Sequence, residues 1–484
     1  MSILFVLLLP SCTVGPNYKR PSAPAPPAFK EQPPVNFKEA EAAGWKQSQP
    51  GDAFEKGKWW EVYGDADLNA LEEQVNISNQ NVLQAEAQYR QAKAGVRLAR
   101  AALFPTISTG PAISESRNSV GSANTGLSTG RRASFNLPLD VSWEPDIWGS
   151  IRRGVTASVT TAQSQAALLA NARLLYQAEL AQDYFSLHGT DGEMDLLRHT
   201  EASYQEYLTL TRNRFAGGVA SDLDVAQAET QLYGVQSDLI DLGVARAQYE
   251  HAIAVLTGKT PAELTIPSRP LTTPPPPVPV GLPSELLERR PDIAGAERRV
   301  AAANEEIGIA MAAFYPSLTV GASAGLQASS LTKLFSWPSR FWSVGPQLAQ
   351  TLFDSGRRRA VVAEQQAAYD ATVASYRQTA LTAMQQVEDN LAALRILEQE
   401  AAKVQQTVDS SGRALAVSTA QYRAGTASFL IVITSQAALL TSQRTAVTLL
   451  TRRLTASVLL IEALGGGWKA STLPERQELT HSPK

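Results

Sequence analysis

Residues 104–110 read FPTISTG and residues 315–321 read YPSLTVG, so one pattern returns after 211 residues. Ordered matches of this kind indicate a duplicated unit, because similarity between unrelated alanine-rich helices would not preserve the order of the breakpoints. Generic helix composition is the alternative explanation. Three further segments match in the same order in both halves: residues 81–86 with 292–297, 147–153 with 352–358, and 214–221 with 421–428.

The residues around each echo alternate between apolar and polar side chains. Residues 135–147, 316–326 and 342–352 place apolar side chains at every second position, with small or polar residues between them. A period of two is the pattern of a β-strand. Each half is therefore expected to contain one β-hairpin, at residues 104–148 in the first half and at residues 315–353 in the second.

Strands with one apolar face and one small or polar face are typical of a membrane barrel, which shows one face to lipid and the other to water. A half-buried sheet in a soluble protein would give the same alternation. The segment at residues 114–132 is rich in Ser, Gly and Asn, and residues 328–340 form a shorter counterpart, as expected for exposed outer loops. Four strands cannot close a barrel, because the smallest membrane barrels have about eight and no open edge survives in lipid. The chain must then oligomerise, and the sequence leaves open whether two protomers supply about eight strands or three supply about twelve.

Two segments with few Gly or Pro residues, 150–215 and 356–423, predict long helices because Ala, Gln, Leu and Glu dominate both. At ~1.5 Å per residue each helix would be about 100 Å long, which exceeds an ordinary globular core. Each is expected to turn back at glycine, at Gly217 and Gly218 in the first half and at Gly425 in the second. The return helices are expected to end near Leu256 and Leu464, and shorter helices are expected at residues 68–103 and 292–314.

An alanine stripe at helical spacing runs along the second long helix. Small side chains let a neighbouring helix approach closely, as a wall of packed helices requires. A solvated helix with incidental alanines is the alternative, because Ala also has the highest helix propensity. The stripe consists of Ala360, Ala363, Ala367, Ala371 and Ala374.

Cys12 is the only cysteine, and it follows an apolar run at residues 3–11 that is too short to cross a bilayer as a helix. The arrangement is typical of a signal peptide, here residues 1–11, that ends in a bacterial lipoprotein box. Pro10 is unusual in such a box, and the lack of Lys or Arg after Met1 indicates that the true start lies upstream. Cleavage would leave Cys12 as a lipidated first residue held at the membrane by its acyl chains. The outer membrane is expected, because Thr13 is not the Asp that commonly retains lipoproteins in the inner membrane; the alternative is a bystander cysteine in a trimmed leader.

The remaining chain divides at composition changes. A Pro-rich stretch without periodicity follows Cys12 and fits an extended tether, and a second one separates the two halves. We interpret residues 12–66 as a lipidated tether and equatorial segment, 67–265 as repeat 1, 266–288 as a Pro-rich linker, 289–465 as repeat 2 and 466–484 as a C-terminal tail.

The composition argues against catalysis and against nucleic-acid binding. A formal net charge of -3 without a basic patch does not suit nucleic acid. The four histidines are scattered and lack a second cysteine, so no metal-ligand spacing is present. There is no Gly-rich phosphate loop and no nucleophile elbow. We therefore expect no catalytic residue, no cofactor and no metal.

Three motifs resemble the TolC-like outer-membrane factor family of outer-membrane efflux proteins, in its NodT-like lipoprotein branch: CTVGPNY at residues 12–18, WWEVYGD at 59–65 and GLPSELLERRPDI at 281–293. The likeness extends over essentially the whole chain after Cys12. It implies a mainly α protein with a membrane β part, in which a homotrimer forms a 12-stranded β-barrel continuous with a 12-helix α-barrel, two structural repeats per chain. The implied partners are a periplasmic membrane-fusion adaptor protein, an inner-membrane transporter expected to be of the RND type, and outer-membrane lipid.

The resemblance also implies which residues work at the two helical tips. In the family the tips meet the adaptor and form the periplasmic gate. The adaptor-facing candidates are Arg214, Gly217, Gly218 and Val219 in one tip and Arg423, Gly425 and Thr426 in the other. The gate candidates are Asp222, Asp224, Phe429, Ile431 and Thr434.

The gate departs from the family pattern in one respect. Asp224 stands where some members carry a gate-linking Asp, but Ala427, Ile431 and Thr434 occupy the positions that resemble its Arg partner and an acidic constriction ring. We hypothesise an apolar constriction at Phe429 and Ile431, since apolar rings can gate by dewetting.

Three functions are compatible with these features. The first is an exit duct of a tripartite efflux pump, which passively conducts substrates exported by an inner-membrane transporter through the adaptor. The second is a type I protein-secretion conduit of the same architecture, which the sequence does not separate from the first. The third is a structural or adhesive envelope protein whose hairpins span the periplasm.

Overall fold

The computed structural model of the protein describes residues 13–31, 57–117, 131–278 and 283–480. The expected signal peptide, Cys12 and the middle of the tether lie outside the described residues. Within them, no helix is both long and apolar enough to cross a lipid bilayer. The main helices are α1 (Ala66–Ser78), α2 (Gln80–Ala101), α3 (Ser150–Ala216), α4 (Asp222–Leu256), α5 (Pro291–Ala312), α6 (Arg357–Arg423) and α7 (Phe429–Ala463). The strands are β1 (Thr106–Ser108), β2 (Ala112–Ser116), β3 (Arg132–Trp143), β4 (Ser317–Ala328) and β5 (Arg340–Ala349), and short helical turns lie at Trp59–Tyr63, Pro261–Glu263, Pro283–Glu285, Leu286–Arg289, Leu331–Leu334, Trp337–Ser339, Ala470–Thr472 and Arg476–Thr480.

The three main helices of one half have the same lengths as those of the other half. The long helices α3 and α6 each contain 67 residues, and the return helices α4 and α7 each contain 35. The helices that precede the hairpins, α2 and α5, each contain 22 residues. The long and return helices end within one residue of the positions expected from the sequence, because glycine follows each long helix and helix propensity is uniform within it.

The sheet is antiparallel, in the order β1-β3-β4-β5, and β2 also pairs with β3. β1 and β2 share one register along β3, with Ile107 opposite Val141 and Ile113 opposite Phe135. They form one strand interrupted beside Pro138, which has no N–H to offer a neighbouring strand. The sheet therefore has four strands, two in each predicted hairpin.

The two hairpins are joined by the pairing of β3 with β4. This ladder runs along nine residues, from Phe135 opposite Ala328 to Trp143 opposite Val320. It leaves β1–β2 and β5 as the edges of the sheet, and within the described residues neither edge has a second partner strand. Each protomer thus presents two open edges.

Each long helix starts at the same kind of corner. The Asp146 carboxylate accepts hydrogen bonds from the backbone N–H and the Nε of Arg152, at 2.9 and 2.8 Å. In the second half Asp354 accepts the equivalent bonds from Arg358, at 3.3 and 2.6 Å. The sequence match between residues 147–153 and 352–358 therefore corresponds to a strand-to-helix corner of the same structure in each half.

The helix expected at residues 68–103 is instead two helices. Asn79 separates α1 from α2, and its side chain caps α2 by accepting hydrogen bonds from the N–H groups of Asn81 and Val82 at 3.0 and 3.1 Å. The Asn79 amide also donates to the Leu256 carbonyl at the end of α4, at 2.8 Å. The break follows from this contact, which the apolar pattern of the segment does not reveal.

Two of the three family-like motifs, at residues 59–65 and 281–293, have clear structural roles. The indoles of Trp59 and Trp60 are buried in the main core. Arg290 donates from Nη1 to the Ala463 carbonyl at the end of α7, at 2.9 Å, and pairs with Asp292 at 2.7 Å. A cation at a helix C-terminus is stabilising, so the second motif locks the start of α5 to the end of α7.

The N-terminal segment at residues 13–31 crosses both halves. The Val14 N–H donates to the Trp148 carbonyl at 3.1 Å, and the Val14 carbonyl accepts from Nε of the buried Arg153 at 2.7 Å. At the other end the Glu31 N–H donates to the Glu388 carboxylate of α6 at 2.8 Å. The segment therefore begins where the sheet meets the helices and ends midway along α6.

A buried carboxylate ties the linker between the halves to α3 and α4. Asp191 accepts hydrogen bonds from Arg246 Nε at 2.7 Å, Ser268 Oγ at 2.9 Å and the Arg269 N–H at 3.0 Å, and it contacts His188 Nδ1 at 3.0 Å. Burial alone would raise the pKa of the Asp191 carboxyl, but these hydrogen bonds outweigh burial and lower the pKa to about 2. The folded protein therefore holds Asp191 in its charged form.

We predict that Asp191→Ala lowers the free energy of unfolding by about 3 kcal/mol, because it removes the buried and nearer carboxylate partner of Arg246 and leaves that largely buried cation only its longer pair with Glu250. The pKa in the folded protein lies below the unfolded value of about 3.9. The contribution is therefore present above pH ~4 and is lost as the pH falls from about 4 towards 2. Thermal unfolding of detergent-solubilised protein, followed by circular dichroism across this pH range, measures both effects.

Asp195→Ala is the matched control, because Asp195 lies one turn further along α3 in an exposed pair with His199. Exposed pairs contribute about 0–1 kcal/mol, so its melting temperature should stay close to that of the wild type. Equal losses in the two variants would contradict the role given to Asp191.

Candidate functional site

The two helical hairpins end in tips of the same geometry. Gly218 and Gly425 have φ values of 71° and 77°, a left-handed conformation that glycine adopts without steric cost. The N–H groups of Gly218 and Val219 donate back to carbonyls of α3 at 2.9 Å, and those of Gly425 and Thr426 donate to carbonyls of α6 at 3.0 Å. Each tip is a Schellman turn that satisfies the last carbonyls of its long helix.

Arg214 is only partly exposed and contacts the other tip, unlike the other residues expected to face an adaptor. Its Nη1 donates to the Tyr422 carbonyl at 2.8 Å, and its guanidinium carbon lies 4.5 Å from the centroid of the Tyr422 ring. Arg214 therefore links the two tips within one protomer. The six other expected tip residues are exposed, namely Gly217, Gly218, Val219, Arg423, Gly425 and Thr426.

Ion pairs near the tips bridge neighbouring helices. Arg212 of α3 pairs with Glu229 of α4 at 2.6 Å, and Arg423 of α6 pairs with Glu206 of α3 at 3.1 Å. The Arg423–Glu206 pair and the Arg214 bond hold the two hairpins side by side, whereas the Arg212–Glu229 pair joins the two helices of one hairpin. In the described ranges, no three His, Cys, Asp or Glu side chains lie close enough together to hold a metal ion.

The return helices begin with different caps, although α4 and α7 start 207 residues apart and correspond to each other. Ser221 Oγ accepts from the Asp224 N–H at 3.2 Å, and the Asp224 carboxylate accepts from the Ser221 N–H at 2.9 Å. The corresponding residues of α7 are Ser428 and Ile431, and the apolar Ile431 cannot complete such a capping box. Asp224 is thus engaged in a local cap, while Asp222 is exposed in the same turn.

The structure corrects the expected place of Phe429. Its side chain is only 3% exposed, and its ring centroid lies 5.3 Å from that of Tyr422 inside the protomer. A side chain enclosed by its own protomer cannot line a constriction. The sequence carried this signal, because Phe429, Val432, Ile433 and Gln436 follow the i, i+3, i+4, i+7 spacing of a buried helix face.

Ile431 and Thr434 lie on the other side of α7. Ile431 is 45% exposed, and Thr434 is also exposed. The Thr434 hydroxyl donates to the Ile431 carbonyl at 3.0 Å, so it adds no cross-helix bond. Of the two residues proposed for an apolar constriction, only Ile431 has the exposed side chain that the hypothesis requires.

Sequence reasoning missed three exposed apolar side chains at the tips. Phe215, Leu223 and Leu430 are each about half exposed or more, and they extend the exposed surface of Val219 and Ile431. The sequence did contain a signal for two of them. Leu223 and Leu430 are equivalent residues of the two halves, each the second residue of its return helix, so an apolar residue is repeated at the same place in both tips. Together these side chains give the tips an apolar surface that the protomer itself leaves uncovered.

The cross-strand pairs divide the sheet into two faces. Residues directly opposite each other on neighbouring strands share a face, and Leu139 lies opposite Ala324, which lies opposite Trp342. The face that contains them is apolar, with Ile107, Ile113, Phe135, Leu137, Val141, Trp143, Val320, Leu326, Val344 and Leu348. The opposite face carries Ser108, Asn136, Asp140, Ser142, Thr319, Ser323, Gln327, Ser343 and Gln347.

Sequence comparison assigns these features to a family. The profile of the outer membrane efflux protein family matches residues 71–259 and 282–466. The probable efflux pump outer membrane protein TtgC of Pseudomonas putida is 31% identical over 480 residues, which cover 99% of this chain and 97% of that protein. Outer membrane protein OprJ of Pseudomonas aeruginosa is 30% identical over 474 residues, which cover 96% and 95%.

Solved structures agree over nearly the full length. The outer-membrane channel OprN superposes with a TM-score of 0.85 at 28% identity, covering 94% of this chain and 100% of that chain. The outer membrane protein VceC of Vibrio cholerae gives a TM-score of 0.79 at 28% identity, covering 85% and 99%. The paired helical tips and the two-faced sheet are therefore those of the outer membrane efflux protein family, to which this chain belongs as the outer-membrane channel of an efflux pump.

Proposed function

We propose that three copies of this chain form one exit duct, in which a 12-stranded β-barrel in the outer membrane continues into a 12-helix α-barrel across the periplasm. The observation that carries the proposal is a sheet of four strands with an exposed apolar face and two unpaired edges. Backbone groups at open edges cannot remain unpaired in lipid. If β5 of each subunit pairs with β1–β2 of the next, every edge is satisfied.

The width of the lumen favours three subunits over two. Two copies would also pair all edges, but a barrel of about eight strands is only wide enough for its own side chains to fill. Three copies supply about twelve strands and twelve long helices, because each protomer contributes α3, α4, α6 and α7. A duct for exported substrates needs the wider lumen.

Exposed small and apolar side chains on the helices suit contacts between subunits. The expected alanine stripe of α6 is exposed along its length, from Ala360 to Ala374. On α4, Ile240 and Val244 are exposed although they are large and apolar. Surfaces of this kind in a single chain are typical of sites that a partner covers.

The equal helix lengths of the two halves support the two repeats, at residues 67–265 and 289–465, joined by the linker at 266–288. The family profile matches the chain twice, at residues 71–259 inside repeat 1 and at residues 282–466, a match that begins in the proposed linker and covers repeat 2. A duplicated unit explains why one protomer supplies two equivalent hairpins and two equivalent tips.

The exposed tips are proposed to dock a periplasmic membrane-fusion adaptor protein, which links the duct to an inner-membrane transporter of the RND type. The support is their position, because helices of 67 residues place the tips about 100 Å from the sheet. Gly217, Val219, Gly425 and Thr426 offer a small and apolar surface there. Substrate choice would then lie with the transporter.

The periplasmic gate is proposed at the start of α4 and α7. Asp222 and Asp224 lie on one return helix, and Ile431 and Thr434 lie on the other. An apolar ring of three Ile431 side chains could close the tunnel by excluding water. The Asp224 carboxylate would need to leave its cap with Ser221 before it could link helices across the gate.

Cys12 is proposed to carry the lipid anchor. Its neighbour Thr13 lies against Gly149, at the corner between β3 and α3. At the same level Trp148 stacks on Tyr315 with 4.7 Å between the ring centroids. Because Trp and Tyr are enriched at membrane–water boundaries, acyl chains on Cys12 would enter the bilayer beside the barrel.

We predict that deletion of the gene increases sensitivity to dyes and detergents, because these compounds are no longer exported. The minimum inhibitory concentration, measured with and without the cognate inner-membrane transporter, tests the function. In a strain without that transporter the deletion should add no further sensitivity. Unchanged sensitivity in the presence of an active transporter would contradict a role in efflux and favour protein secretion or an adhesive role.

We also predict that Ile431→Asp increases the single-channel cation conductance several-fold in planar bilayers, because a charged ring hydrates the proposed constriction. Leu430→Asp is the matched control, since Leu430 is similarly exposed and, as the preceding residue, points about 100° away from Ile431 around the axis of α7. Unchanged conductance in Ile431→Asp, or an equal rise in both variants, would show that Ile431 does not form the constriction.

A further inference from the structure

The loop end of the sheet carries a concentration of positive charge. Among residues 112–117, 131–137 and 324–343, five side chains are basic and Glu115 alone is acidic. Residues 118–130, which lie between β2 and β3 in the sequence, include no charged residue. The basic residues are Arg117, Arg131, Arg132, Lys333 and Arg340.

Two of these arginines belong to the apolar face of the sheet. Arg340 lies opposite Leu326 on that face. Arg131 lies 3.9 Å from the carboxylate of Glu115, and Glu115 lies opposite Ala133 on the same face. An apolar barrel face meets lipid, so Arg131 and Arg340 stand at the outer end of the lipid-facing surface. Arg132, by contrast, lies opposite Ser116 on the polar face.

Aromatic side chains accompany Arg340. Its guanidinium carbon lies 3.7 Å above the centroid of the Trp337 ring. Trp337 and Phe335 are each 76% exposed. A stacked guanidinium keeps its N–H groups directed outward in its own plane, where they match the oxygens of a phosphate. Exposed aromatic rings beside a cation are typical of the boundary between acyl chains and headgroups.

The charges at this end are poorly neutralised within the protein. The N–O distance of the Arg131–Glu115 pair is long, at 3.9 Å, and its side chains are 77% and 62% exposed. The attraction between the two charges is therefore weak. Arg340 stacks on Trp337 and Lys333 is exposed, and neither belongs to an ion pair between described residues. The surface therefore keeps a net positive charge beside an apolar wall, which suits an anionic headgroup attached to acyl chains.

We propose that Arg131, Lys333, Trp337 and Arg340, the basic rim, bind the phosphate groups of the lipopolysaccharide that forms the outer leaflet of the outer membrane. The arginines and Lys333 bind phosphate oxygens, and Trp337 packs against the acyl chains and glucosamine rings below them. This inference rests on the proposed trimeric barrel, because only there does this face meet lipid. The basic rim thereby fixes the height of the barrel in the outer leaflet.

The test is the affinity of purified trimers in detergent for lipopolysaccharide, measured by fluorescence titration with a labelled preparation. Replacing both lipid-facing arginines, as Arg131→Gln with Arg340→Gln, should weaken binding roughly 20-fold, since each basic residue near a charged headgroup contributes about a factor of five. Wild-type binding should weaken as salt is added. A chemically dephosphorylated preparation should bind the wild type at least as weakly as intact lipopolysaccharide binds the double variant, which still keeps Lys333.

Arg132→Gln is the matched control, because it removes the same charge at the neighbouring position on the polar face. Its affinity should stay within about twofold of the wild type, since a charge on the water side does not reach the headgroup. Equal losses in the control and the double variant, or equal binding of phosphorylated and dephosphorylated preparations, would overturn the proposal. Native mass spectrometry of the same samples distinguishes failure of the basic rim from failure of the proposed duct. Trimers without phosphate-dependent binding would refute the basic rim alone, whereas monomers would refute the proposed duct.

Discussion

Hydrocarbon offers no hydrogen-bonding partner, so every backbone N–H and C=O group of a strand in the membrane must be paired within the protein. This constraint governs the architecture of the chain. One protomer pairs β3 with β4 and leaves β1–β2 and β5 open. We propose that other copies of the chain pair with the remaining edges, so that the long helices that continue from the strands belong to the same assembly.

The helical part depends on contacts that fix where each element begins and ends. Asp146 and Asp354 set the corners from strand to long helix. Arg290 donates a hydrogen bond to the last carbonyl of α7. Asp191 of α3 accepts hydrogen bonds from Arg246 of α4 and from the linker. Most of these groups are buried or half-buried charges with specific partners, and their removal leaves a charge uncompensated. The rod therefore has defined length and defined ends, which a conduit between two membranes requires.

The two halves repeat a common plan and differ at the start of their return helices, where the gate is proposed. Asp224 completes a cap with Ser221, whereas Ile431 stands at the corresponding position of α7 without one. One tip thus offers a carboxylate and the other an apolar side chain. A tunnel built from two alternating types of hairpin can therefore combine polar links with an apolar constriction at the same level.

The sequence predicted the elements well and their mutual contacts poorly. The period-two segments and the glycine-terminated helices are local patterns, and their ends agree with the structure to within a few residues. The pairing of β3 with β4, the break at Asn79 and the contact between Arg214 and Tyr422 join residues that are distant in the chain, so no local pattern encodes them. The helical spacing of the apolar residues predicts that Phe429 is buried. The sequence analysis nevertheless placed Phe429 with the exposed Ile431 in one constriction.

The most direct test of the account is the mass of the particle formed by a Cys12→Ser variant with a cleavable leader, purified in detergent and measured by native mass spectrometry. The account predicts three chains, each close to 52.0 kDa less the leader, that need detergent to stay in solution. A single chain that remains soluble in water without detergent would contradict it, because open strand edges and an apolar face would then exist without lipid or partner.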